Sequence, residues 1–115
     1  MTRCRLPDRR LCSTIKVRWQ FETGEQSFYL TFGRDPQTLR VLEVFYADGQ
    51  RTGSQVQHLV QDACVILSLL LQYGADPFSI NKSLGQIELL GEASPASILG
   101  AIVKAIEEEI SYVKT

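Results

Sequence analysis

The chain has 115 residues, 44% of them hydrophobic and 22% charged, with a formal net charge of −1. That is the size and composition of one globular domain, which excludes a fibrous, collagenous or disordered chain and predicts no strong attraction for a polyanion from net charge alone. The longest apolar stretch, Ala63 to Leu71, is broken by Ser68 and falls far short of the roughly 20 residues that cross a bilayer.

The amino-terminal segment, residues 1–12, lacks periodicity, and Leu6-Pro7-Asp8 favours an extended or turn conformation because a residue before proline is pushed out of the helical region. We expect an extended basic arm, carrying Arg3, Arg5, Arg9 and Arg10 against the single acid Asp8. No apolar stretch with a small-residue cleavage site follows the arginines, so a secretory signal is not expected and the default compartment is the cytoplasm.

From Ser13 to Phe21 the chain alternates strictly, with Ile15, Val17, Trp19 and Phe21 on one face and Thr14, Lys16, Arg18 and Gln20 on the other. This predicts a half-buried strand. A turn at Thr23-Gly24 would pair Glu22 with Glu25, and would set Trp19 opposite Phe28, Val17 opposite Leu30, Ile15 opposite Phe32 and Arg18 opposite Tyr29. Asp35-Pro36-Gln37 predicts the next turn, and Leu39 to Tyr46 a third strand apolar on both faces, with Glu43 expected on the side of Lys16 and Arg18. Ala47 to Gln50 reads as a turn leading into a very short fourth strand before Gly53.

Ser54 to Gly74 is the longest helical segment. Ser54 and Gln57 form a capping box, Gly74 supplies a left-handed terminator, and Val56, Leu59, Val60, Ala63, Cys64, Leu67, Leu70 and Leu71 make an apolar face expected to cover the sheet's aromatic side. Val65, Ile66 and Leu69 fill much of the opposite side and demand another cover. Asp76-Pro77 starts a short helix that ends at Gly85, residues 86–91 are either loop or extended, and Ser94-Pro95 is expected to start a third helix carrying Ile98, Leu99, Ile102, Val103, Ile106, Ile110 and Val113 inward and Glu107, Glu108 and Glu109 largely outward. The expected fold class is α+β: an antiparallel three- to four-stranded meander covered on one face by a long central helix, a short helix and a C-terminal amphipathic helix, all in one domain over residues 13–115.

Three places invite a functional reading. Arg51, Gly53 and Ser54 stand at the start of the central helix, where free N–H groups attract a phosphate or nucleotide, although the order of a P-loop is missing. The arginine arm could contact nucleic acid. The apolar second side of the central helix calls for a protein partner, with a second copy and hence a dimer expected. His58 has no nucleophile or carboxylate at a convincing spacing, and Cys4, Cys12 and Cys64 have no metal-binding spacing. No catalytic residue, metal site or cofactor is therefore expected, and the chain reads as a non-catalytic domain.

Arg5-Leu6-Pro7-Asp8-Arg9-Arg10, Leu42-Glu43-Val44-Phe45, Gly49 with Gly53-Ser54, the run from Asp62 to Asp76, Leu84 and Ala93-Ser94-Pro95 together resemble the TSCPD domain. That domain is found at the carboxyl end of vitamin B12-dependent, class II ribonucleotide reductases and in short stand-alone proteins. The resemblance spans nearly the whole chain and implies an association with ribonucleotide reduction, as an interaction or regulatory module rather than a reductase. The Thr-Ser-Cys-Pro-Asp string that names the family is absent, as is any Cys-x-x-Cys pair, so a metal or redox role does not carry over.

Overall fold

The structure is a computed structural model that describes residues 2–8, 10–47 and 55–114. Its element order is β1 (Leu11–Phe21), β2 (Gly24–Arg34), β3 (Val41–Ala47), α1 (Gln55–Gln72), α2 (Pro77–Ser83), β4 (Gln86–Leu89), β5 (Glu92–Pro95) and α3 (Ile98–Lys114). β1, β2 and β3 form an antiparallel sheet in that order, and β4 pairs with β5 in a separate two-stranded sheet. The α+β class is as the sequence predicts. The expected capping box and the short fourth strand before Gly53 involve residues outside those described.

The alternation of β1 and β2 is realised, but two residues out of the expected register. Phe21 pairs with Gly24, Val17 with Phe28 and Ile15 with Leu30, while Trp19 faces Gln26. A shift of two keeps every side chain on its face, so burial does not oppose it. The observed register takes Glu22 out of a direct pair with Glu25 and sets Gln20 there instead, which removes a like-charge pair. Gly24 keeps an ordinary φ and lies under the ring of its partner, with Phe21 Cε2 and Cζ 3.7 Å from where a Cβ would be. Lys16, rather than Arg18, faces Tyr29; Arg18 faces Ser27 and reaches Glu25 at 3.7 Å.

β3 starts at Val41, two residues later than the pattern suggests, because the connection from β2 needs them. Asp35 Oδ1 accepts the N–H groups of Gln37 and Thr38, and Leu39 takes a φ of 63°. A bulge at Gly33/Arg34 then lets Val41 and Leu42, consecutive residues, both be buried. Glu43 pairs with Gly33 and so lies on the face of Lys16 and Arg18, as expected.

Phe28, Leu30, Phe32, Val41, Val44 and Tyr46 form the sheet's contribution to one core, joined by Val60, Cys64, Leu67 and Leu71 of α1 and by Ala101, Ile102, Val103, Ala105 and Ile106 of α3. α3 runs antiparallel to β1: Trp19 Nε1 donates to the carbonyl of Pro95 just before the helix, at 3.0 Å, and Ser13 meets Glu109 near its other end, at 3.3 Å. α1 packs chiefly on β3. α1 and α3 thus share the cover of the aromatic face, and the expected burial of Val56 and Leu59 is corrected, since they are 62% and 70% exposed.

Local signals set the helix ends. Gly74, at φ 93°, donates to Leu71 O and Ala75 N–H donates to Leu70 O, the paired bonds of a Schellman motif. Asp76 caps α2 by accepting Phe78 N–H at 3.1 Å, with Pro77 at the first helical position. α3 departs from expectation. Ser94 and Pro95 end β5, and the cap is Ser97, whose Oγ accepts Gly100 N–H at 3.1 Å. An added Cβ at Gly100 would lie 3.0 Å from Pro95 Cβ, so the glycine allows the first turn to pack on the strand end.

Residues 86–91 are extended and then turn. Leu90 and Gly91 have φ values of 52° and 82°, the positive pair of a type I′ hairpin. Leu90 is 99% exposed, so it gains nothing from burial and bears the cost of a left-handed conformation. Leu90→Asn is expected to raise stability by about 1 kcal/mol, read as a higher thermal midpoint, since Asn tolerates this region far better.

Candidate functional site

α1 has two unlike sides. Its inner side carries polar residues among the apolar ones: Gln57, Ser68 and Gln72 are all buried. Ser68 accepts Val44 N–H at 3.0 Å and donates to Cys64 O, one turn back, at 2.8 Å. Gln72 Nε2 donates to Leu42 O at 3.0 Å. These are backbone groups on the outer side of β3, where no further strand pairs among the described residues, so α1 closes that edge of the sheet with side chains.

The amino-terminal arm is tied to the same corner. Cys4 N–H donates to Gln72 O at 2.7 Å, and Arg3 Nε donates to Gln72 Oε1. Arg10 forms an ion pair with Glu43 and donates through Nε to Pro7 O at 3.1 Å. The hydrogen bond to Glu43 raises the Arg10 guanidinium above its ordinary value. Gly33 makes room for this arrangement, because a Cβ there would lie 2.9 Å from Glu43 Oε2 and 3.3 Å from Leu6 Cδ1. Of the four arm arginines, Arg3 and Arg10 thus hold partners within the domain, Arg5 is exposed, and Arg9 lies outside the described residues. Arg51, Gly53 and Ser54 lie outside them too, so the described residues do not bear on the anion site.

The outer side of α1, continued by Tyr73, carries an apolar seam. Val56, Leu59, Ala63, Ile66, Leu70 and Tyr73 follow one another at steps of three, four, three, four and three, the spacing of a coiled-coil seam. Five of the six are exposed and Ala63 is half-buried. Round the helix, past Asp62 and His58, Val65 and Leu69 join Phe45 of β3 in lining a groove of about 350 Å³. His58 is exposed.

Cys64 sits in the core, and burial pushes its thiol up to about 11, so it is held as an inert neutral side chain. All three cysteines are free thiols. No group of three or more His, Cys, Asp or Glu among the described residues could hold a metal ion, and no helix among them is long and apolar enough to cross a membrane.

One polar pair escapes the sequence reading. Arg34 is buried, and it donates to Leu39 O at 2.7 Å, to Glu109 O at 3.0 Å and to Glu109 Oε2 at 2.8 Å. Glu109 therefore points inward, against the expectation of a solvated acidic face. The signal was present: the alternation Phe28, Leu30, Phe32, carried one step further, puts Arg34 on the buried face.

Searches among curated proteins and among solved structures gave no significant match. A model of the TSCPD domain does match, over residues 7–110, from the ordered arm through the meander and α1 to the last turns of α3. The chain belongs to the TSCPD domain family.

Proposed function

We propose that this domain is a non-catalytic interaction module that self-associates through the outer side of α1, and that it serves the accessory or regulatory role its relationship to the carboxyl-terminal domain of class II ribonucleotide reductases suggests. The observation that carries this reading is the uncharged seam from Val56 to Tyr73. Its spacing is the same in both directions, so a second copy lying antiparallel sets Val56 against Tyr73, Leu59 against Leu70, and the small Ala63 against the large Ile66.

The exposed fractions of the five large side chains correspond to roughly 500 Å² per copy, so the pair would bury about 1,000 Å², the lower bound for a specific interface. The compartment proposed is the cytoplasm, where three free thiols stay reduced.

Sedimentation velocity tests the reading. A dimer is expected at tens of micromolar, and Leu59→Glu with Ile66→Lys should weaken it at least ~100-fold while leaving the circular dichroism unchanged, because both side chains are exposed. A wild-type chain that stays monomeric in that range would overturn the self-association.

A further inference from the structure

We propose that the outer edge of β1 is a second docking site, which takes an extended acidic segment of another protein as a fourth strand of the sheet. The two edges of this sheet are treated differently. That of β3 is closed by Ser68 and Gln72, whereas β1 pairs among the described residues only with β2, over eleven residues in unbroken register with no bulge and no proline.

The parity of the ladder says which groups are free. Phe21 and Gly24 close a two-residue turn and so exchange hydrogen bonds, which turns the odd-numbered residues of β1 toward β2. The other side of the sheet gives the same answer: Val44 faces outward to Ser68, so its partner Phe32 bonds toward Ser13. The N–H and C=O groups of Thr14, Lys16, Arg18 and Gln20 therefore point away from the sheet, and among the described residues none of them has a hydrogen-bond partner.

Beside this edge a cleft of about 410 Å³ opens between β1 and α3. Ile15, Val17 and Trp19 line it from the strand, Ala101 and Ala105 from the helix, and Pro95 stands at the Trp19 end. These three β1 side chains are half-buried, whereas Phe28, Leu30 and Phe32 beside them on β2 are fully buried. Another strand would bury them by placing alternate apolar side chains in the cleft.

Charge selects the occupant. Lys16 and Arg18 project from the edge strand and Lys104 lines the cleft, against Glu108 in the cleft and Glu25 near Arg18. A second copy of β1 lying antiparallel would set Lys16 against Arg18, a like-charge pair, so the chain does not suit itself here. Carboxylates at every second position, alternating with apolar residues, match both the cations and the cleft.

The test is fluorescence anisotropy with a labelled eight-residue peptide alternating Glu and Val. Low-micromolar to submillimolar binding is expected, at least tenfold weaker for a peptide alternating Lys and Val and for one N-methylated at every amide that would face β1. Lys16→Pro removes an outward N–H and leaves the ladder to β2 intact, so it should cost at least tenfold. If that variant does not fold, Lys16→Glu with Arg18→Glu should reverse the preference between the two peptides. No binding up to millimolar peptide, or binding indifferent to charge, N-methylation and these substitutions, would overturn the proposal. The same titration in the Leu59→Glu, Ile66→Lys background separates it from self-association, since neither substitution touches β1.

Discussion

Replacing Arg34 with Ala should destabilise the domain by about 3–5 kcal/mol, a large share of the roughly 5–15 kcal/mol that holds a domain of this kind together. The guanidinium bonds the carbonyl of Leu39 and both the carbonyl and the carboxylate of Glu109. One side chain thus ties the β2–β3 connection to the last turns of α3. Both members of the pair are close to fully buried, with side chains 8% and 12% exposed, so its removal leaves a carboxylate that, among the described residues, has only Ser13 to bond it in a poorly solvated place. Glu109→Ala should be comparably damaging, because it leaves the cation without its charge partner. Arg34→Met combined with Glu109→Leu should recover much of either loss, since neither charge is then left alone. Urea denaturation of the three variants checks this. A loss below about 1 kcal/mol for Arg34→Ala would mean that the ion pair behaves as an exposed one.

The second large effect is expected at the edge of β3. Ser68→Val and Gln72→Leu keep the apolar packing of α1 but leave Val44 N–H and Leu42 O without partners, at about 1–3 kcal/mol each and more together. Gln72→Leu also loses the contact to Arg3, so the arm should loosen with it. Hydrogen exchange distinguishes this from general destabilisation: the amide of Val44 should lose its protection first. Leu59→Ala, on the outer side of the same helix, is the control and should change monomer stability little because Leu59 is exposed.

The three strands of the meander, the end of α1 and the start of α2 were legible because their signals are local. Strict alternation from Ser13 to Phe21 requires one buried and one solvated face. Asp76-Pro77 and Gly74 mark helix ends through backbone geometry that needs no distant partner. The cap of α3 was misplaced for an equally local reason: Ser94-Pro95 and Ser97 both satisfy the pattern, and only the pairing of β5 with β4 withdraws the first. The family was legible as well, through the arm motif and the run from Asp62 to Asp76.

What the chain by itself determined is that it makes a meander followed by helices, and that α1 carries more apolar surface than one contact can cover. Which side of α1 turns inward was a tertiary decision. Val56, Leu59, Ile66 and Leu70 are as apolar as Val60, Cys64, Leu67 and Leu71, so hydrophobicity hardly separates the two stripes. The edge of β3 presents unpaired backbone groups that need hydrogen bonds, and only the stripe containing Ser68 and Gln72 can supply them. The hairpin register was degenerate for a related reason, since a slip of two preserves every buried face. Arg34 and Glu109, 75 residues apart, found each other only when α3 crossed the sheet. The inward side of α1 and the Arg34–Glu109 pair were settled by interactions between distant parts of the chain, and the hairpin register was left open because two alignments satisfy the same alternation.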